Sequence, residues 1–107
     1  MPEPVAVDSI DDAFAPARGG HVHTVVLDGE GVLLDEHENR LHLLNVTATL
    51  LWQLYDGATT LADLADDLSA ELGGGRATIL ADLVTISRHL GSEGLLEGVT
   101  PEPGGEE

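Results

Sequence analysis

Five histidines, twenty carboxylates and no cysteine bound the chemistry open to this 107-residue chain. His21 and His23 are two apart, so they share one face of any strand that carries them. His42 lies in a separate alternating run. Three imidazoles can hold zinc if they converge, but nothing in the spacing brings His42 to the other two, and exposed strand histidines are the commoner outcome. Asp63, Asp66 and Asp67, or Asp11 and Asp12, bring carboxylates together. Acid–base catalysis also needs a reacting partner and a pocket; neither accompanies them, so they read as solvated faces. The lack of cysteine removes disulfides, thiolate ligands and a thiol nucleophile. Gly73-Gly74-Gly75 follows a helix and lacks a lysine, so it is not a phosphate loop. Asn45-Val46-Thr47 matches the glycosylation triplet but reads as a helix cap. The expectation is a protein with no active site, no metal and no cofactor.

Charge narrows the partners. The net charge is −16, and the only cations are Arg18, Arg40, Arg76 and Arg88, with no lysine. A duplex-binding protein places about 6–10 cations on phosphates. Four scattered arginines in a negative field do not supply that, so neither nucleic acid nor an anionic membrane is an expected partner. No apolar run approaches the ~20 residues of a membrane span. The acidic start MPEPVAVDSIDD lacks the basic-then-apolar order of a signal peptide. A cytoplasmic protein is expected.

The elements that position any site follow from the pattern. His21–Asp28 is rich in β-branched residues and reads as a strand. Gly29-Glu30-Gly31 is a turn, Val32–Asp35 a second strand, Glu36–Asn39 a second turn and Arg40–Leu44 a third strand. Asn45 caps a helix from Val46 to about Tyr55, with Val46, Leu50, Leu51 and Leu54 as its apolar face, widened by Trp52 and Tyr55. Gly57 stops it. Thr60, with Asp63 three residues on, opens a second helix whose apolar positions are Leu61, Leu64, Ala65, Leu68 and Leu72. A third helix runs from about Ala77 to Leu90 and stops at Gly91. It carries one stripe of Ile79, Leu83, Ile86 and Leu90 and a second of Leu80 and Val84. The first stripe faces the core; the second needs another cover. Residues 1–20 show no period and read as a flexible arm, with Val5, Val7, Ile10 or Phe14 available to dock. Residues 99–107 read as a disordered acidic tail. The expected fold is a small α+β, winged helix-turn-helix-like domain over 21–98, a three-stranded antiparallel sheet followed by three helices.

The runs VLLDEHENRLHLLN (Val32–Asn45), ATLLWQLYDG (Ala48–Gly57), TTLADLADDLSAEL (Thr59–Leu72) and DLVTISRHLGSEGLL (Asp82–Leu96) occur in an order that resembles the PqqD family of peptide-binding modules, also called RiPP recognition elements. The resemblance implies a non-catalytic peptide chaperone. Such a module binds the leader of a ribosomally made precursor and presents it to a separate maturase or leader protease. The leader adds as a strand along the third strand and lies in a groove against the third helix. Carried onto this sequence, the strand is Arg40, Leu41, His42, Leu43 and Leu44. The groove floor is Leu80, Val84, Ser87 and Leu83, with Arg40 and Arg88 as cations for an acidic leader residue.

An edge strand with free backbone groups is independently a template for another strand. Two further readings stand beside this one. The Leu80/Val84 stripe is equally served by the chain's own arm or by a second copy, making an acidic interaction module that is monomeric or weakly homodimeric. A winged-helix transcriptional regulator has the same element order, against which stand the charge and Asp82 in the would-be recognition helix.

Overall fold

Asp28, Gly29 and Asn39 adopt positive φ (53°, 84° and 57°), so the chain reverses tightly at both places. In the computed structural model, which describes residues 5–100, these reversals join three strands: β2 (Val22–Leu27), β3 (Glu30–Asp35) and β4 (Arg40–Leu44). A short β1 (Val5–Ala6) precedes them. The sheet order is β2-β3-β4, antiparallel throughout, with Thr24 opposite Leu33 and Leu33 opposite His42. Alternation then gives the sheet one face with Thr24, Gly31, Leu33 and Leu44 and another with Val25, Val32, Leu34, Leu41 and Leu43.

The first face is covered by α1 (Val46–Leu54). Asn45 caps it, its Oδ1 accepting the Ala48 N–H at 2.8 Å. Of the apolar face read from the sequence, only Leu51 is buried, together with Trp52 and Tyr55; Val46, Leu50 and Leu54 face outward. The reason is polar. Thr49 turns inward, accepts the Gly31 N–H at 2.7 Å and donates to the Leu44 carbonyl, tying the helix to the sheet. Trp52 is fully buried, and its Nε1 donates to Thr24 Oγ1 at 2.9 Å.

The helices α2 (Leu61–Leu72) and α3 (Arg76–Ser92) pack on each other and complete the domain. Thr60 Oγ1 accepts the Asp63 N–H, and Gly73 closes α2 at φ 76°. The core gathers Leu33, Trp52, Tyr55, Leu61, Leu83 and Leu90.

Some boundaries differ from the sequence reading: β3 begins at Glu30, inside the expected turn, because Asp28 and Gly29 make the reversal by themselves. The α3 helix does not stop at Gly91 but runs to Ser92, and Gly94 (φ 78°) makes the left-handed exit. Gly91 serves close approach instead: a Cβ there would lie 2.9 Å from Val99 Cγ1 and 3.3 Å from Val7 Cγ2. Gly91→Ala is therefore expected to destabilise the fold by ~1–3 kcal/mol through overpacking, read as a lower urea midpoint. An unchanged midpoint would mean that Val99 shifts freely.

Of residues 1–20, expected as an arm with Val5, Val7, Ile10 or Phe14 available to dock, the described residues 5–20 lie on the body, and all four of those side chains pack against the core. The Val5–Ala6 strand pairs in parallel with β5 (Val99–Thr100), so the first two residues of the expected tail are structured as well; 101–107 fall outside the described residues. Val7, Ile10 and Pro16 are buried. The carbonyls of Phe14 and Asp12 accept the N–H groups of Leu61 and Ala62, each at 2.9 Å. Those are first-turn donors of α2 with no partner inside the helix. The segment docks because it satisfies them while burying its few apolar side chains.

Candidate functional site

Among the described residues, the strand β4 has β3 on one side and no strand on the other. Alternate residues of Arg40–Leu44 therefore turn their N–H and C=O groups outward. Beside that edge a cavity of about 470 Å³ lies between β4, the start of α1 and α3, lined by Leu43, Leu44, Asn45, Thr47 and Ala48 on one side and Thr85, Ile86, His89 and Leu90 on the other. A second cavity of about 240 Å³ shares Thr47, Thr85 and Ile86 and continues between α1 and α3 to Leu68, Leu72, Ile79 and Asp82, with Leu83 beneath. Together they form one trough, apolar at its base and polar along its α3 rim.

Of the residues expected to form the site, Leu43, Leu44 and Leu83 meet at this trough. Leu80, Val84 and Arg88 do not: they face a separate cavity with Asp11, Asp12 and Arg76, on the side of α3 that meets the N-terminal segment. Arg88 donates from Nε and Nη2 to the Ile10 carbonyl at 3.1 and 2.8 Å, so its guanidinium is tied to the N-terminal segment while the residue stays exposed. Ser87 is fully buried, 2.6 Å from the Tyr55 hydroxyl. Burial pushes the Tyr55 phenol up, and its hydrogen bond to Ser87 opposes that rise without cancelling it.

The physical reason is helical phase. At about 100° per residue, Leu83, Ser87 and Leu90 make the core-facing line. Leu80, Val84 and Arg88 fall to one side of it and Asp82, Ile86 and His89 to the other. A buried serine in the core line, required by the Tyr55 hydroxyl, displaced the apparent apolar stripe. The sequence reading places none of Thr47, Asp82, Thr85, Ile86 and His89 at the groove. Ile86, which the sequence pattern assigns to the core stripe, is half-buried at the trough wall, and the pairing of Tyr55 with Ser87 sets this phase.

At the other end of β4, Glu93 approaches both Arg40 Nη2 and His42 Nδ1 at 3.8 Å. Leu41 points to the outer sheet face and is exposed. His42 points inward, and its Nε2 is buried without a hydrogen-bond partner. A buried acceptor left unpaired costs more than an apolar atom in its place. His42→Leu is therefore expected to leave stability unchanged or raise it by up to ~1 kcal/mol, measured as the thermal midpoint. A clear loss would show that the imidazole is satisfied in solution.

The remaining polar clusters of the described residues lie apart from the trough. His23 sits on the outer sheet face, 2.9 Å from Glu36, far from the inward His42. His21, Asp35 and His37 place one ligand atom each within 4.8 Å of one another. However, the two imidazoles stack in parallel (centroids 4.0 Å, 1°), and His21 Nε2 lies 2.9 Å from the Gly94 carbonyl. One ion cannot lie in both ring planes, so this arrangement braces the β3–β4 turn against the end of α3 and does not fit a metal. Asp63, Asp66 and Asp67 lie on the exposed side of α2, where Asp66 meets Arg76. No helix among the described residues is long and apolar enough to cross a membrane.

A three-stranded wing with a free edge strand, set beside a trough on the third helix, defines a small α+β winged-helix-like module with the geometry to accept a peptide by strand addition. The family described as coenzyme PQQ synthesis protein D (PqqD) matches residues 30–96, more than half of the sequence, and the chain belongs to that family. No curated protein matches it. Among solved structures, one similar chain is TbiB1 in complex with the TbiA(beta) leader peptide: TM-score 0.69, 27% identity, 77% of this chain and 95% of that one covered. Another is a lasso peptide synthetase B1 complexed with the leader peptide, at TM-score 0.68 and 24% identity, covering 77% and 96%.

Proposed function

We propose that this chain is a non-catalytic partner protein that captures the leader segment of a ribosomally made precursor and holds it for a separate maturase or leader protease. The observation that carries this reading is the unpaired edge of β4 running alongside the trough walled by Ile86 and His89. The leader would extend the sheet through main-chain hydrogen bonds to Arg40–Leu44 and set its apolar side chains between Leu44, Thr47 and Ile86. Membership of the PqqD family and the leader-bound state of both similar structures support it.

Charge shapes which leader is accepted. Arg88 is tied to Ile10, and Arg40 approaches Glu93, so the free field around the edge is acidic. A leader with apolar anchors and basic or neutral neighbours suits this edge better than an acidic one. The test is calorimetric titration with the synthetic leader encoded beside this gene. Saturable one-to-one binding is expected, and strand addition should protect β4 amides from hydrogen exchange. A leader that binds without protecting β4 would displace the site; one that does not bind would remove the reading.

A further inference from the structure

The sheet has a second apolar surface, which the leader reading touches only at its Leu43 margin. Val25, Leu27, Val32, Leu34, Leu41 and Leu43 alternate onto the face turned away from α1. This face is open: Val25 is 54% exposed, Leu41 66% and Leu43 80%. A half-covered antiparallel sheet normally carries polar residues on its solvent side, and scattered single leucines would need no explanation. Six contiguous apolar side chains across three strands do.

The size and surroundings of the patch say what covers it. Three strands at ~4.8 Å spacing and six residues at ~3.4 Å span roughly 300 Å² of sheet. A stable interface takes about 800 Å² per partner, so the surrounding rim must take part. That rim is acidic at both ends of the sheet: Asp28 and Glu30 at the β2–β3 turn, Glu36 and Glu38 at the β3–β4 turn, all exposed. Arg40 is turned to the other face, toward Glu93. A second copy would bring the same acids and the same net charge of −16 against them. A partner with an apolar centre ringed by lysine and arginine matches both parts.

We infer that the outer face of β2-β3-β4 docks a protein whose contact surface is apolar at the centre and basic at the rim. Following the function proposed above, that protein is the enzyme that processes the presented precursor. The test measures binding of the maturase or leader protease encoded with the precursor, without leader present, to the wild type and to the double variant Val25→Glu/Leu34→Glu. Both changes lie on β2 and β3, away from the β4 edge. The variant should lose enzyme affinity at least tenfold while keeping leader affinity within about twofold. Wild-type binding should also weaken severalfold between about 50 and 300 mM salt, as charge pairing at the rim requires. No enzyme binding by the wild type, or equal binding by the variant, overturns the inference. So does a concentration-dependent dimer of the free protein that the double variant abolishes, since a second copy would then be the occupant. Loss of leader binding in the wild type would instead strike the function proposed above and leave this surface standing on its own result.

Discussion

Ile86→Asp is expected to weaken leader binding about thirtyfold or more, with the circular dichroism spectrum and thermal midpoint close to wild type. Ile86 is part of both cavities that make up the trough, and it is only half-buried in the free protein. A carboxylate there remains hydrated until a peptide covers it, so the cost falls on the complex more than on the fold. Covering an unpaired polar group costs ~2 kcal/mol or more, which is about thirtyfold in affinity. The decisive control is Val84→Asp, two residues away and on the opposite side of α3 beside Asp11, Asp12 and Arg88. Leader affinity should survive that change within about twofold. If Val84→Asp abolished binding and Ile86→Asp did not, the peptide would lie on the other wall of the helix and the trough would be the wrong groove.

That contrast shows which parts of the molecule were legible in its sequence. Local chemistry was. Asn45 and Thr60 cap where their side chains and following apolar runs require, and the positive-φ residues Gly29 and Asn39 end strands where turn chemistry places them. From these follow the three strands, the three helices and the free edge of β4. The azimuth of α3 was not legible, because it depends on a hydroxyl pair across 32 residues, Tyr55 with Ser87, that makes a serine a core residue. The flank that the resemblance assigns to the groove, Leu80 and Val84, is the one that meets Asp11 and Asp12 of the N-terminal segment. The same cause misled the face of α1, where the inward Thr49 earns its place through hydrogen bonds to Gly31 and Leu44. Periodicity reads hydrophobicity; it cannot see a buried polar group whose partner is distant in sequence.

The same geometry weighs against a DNA-reading role for α3. Its trough-side flank presents Asp82 and His89, and its other flank is partly occupied by the N-terminal segment, with Arg88 held to Ile10. A recognition helix needs cations free to reach phosphates. Of the four arginines, Arg88 bonds a backbone carbonyl, Arg76 meets Asp66 and Arg40 faces Glu93. The element order of a winged helix is thus present, while three of its four arginines are engaged within the molecule.

Removing residues 1–18 is expected to cost the domain most of its stability. The sequence gives this stretch no periodicity, yet its described part, residues 5–18, fills three structural roles at once. Ile10 is fully buried and Val7 nearly so, together worth ~4 kcal/mol of burial. The carbonyls of Phe14 and Asp12 take the Leu61 and Ala62 N–H groups, and losing caps at a helix start costs ~1 kcal/mol each. The Ile10 carbonyl also satisfies two guanidinium nitrogens of Arg88. The total, about 6 kcal/mol, rivals the whole margin of a small domain, ~5–15 kcal/mol. The shortened chain should therefore melt at least ~20 °C lower or fail to fold. Ile10→Ala isolates the packing part and should cost ~2–4 kcal/mol by urea unfolding. Leader affinity of that point variant, measured well below its midpoint, should remain at the wild-type level, because Ile10 lies against the flank of α3 opposite the trough. A shortened chain with an unchanged midpoint would make residues 1–18 a removable arm, and the flank of Leu80, Val84 and Arg88 would then be open to the leader after all.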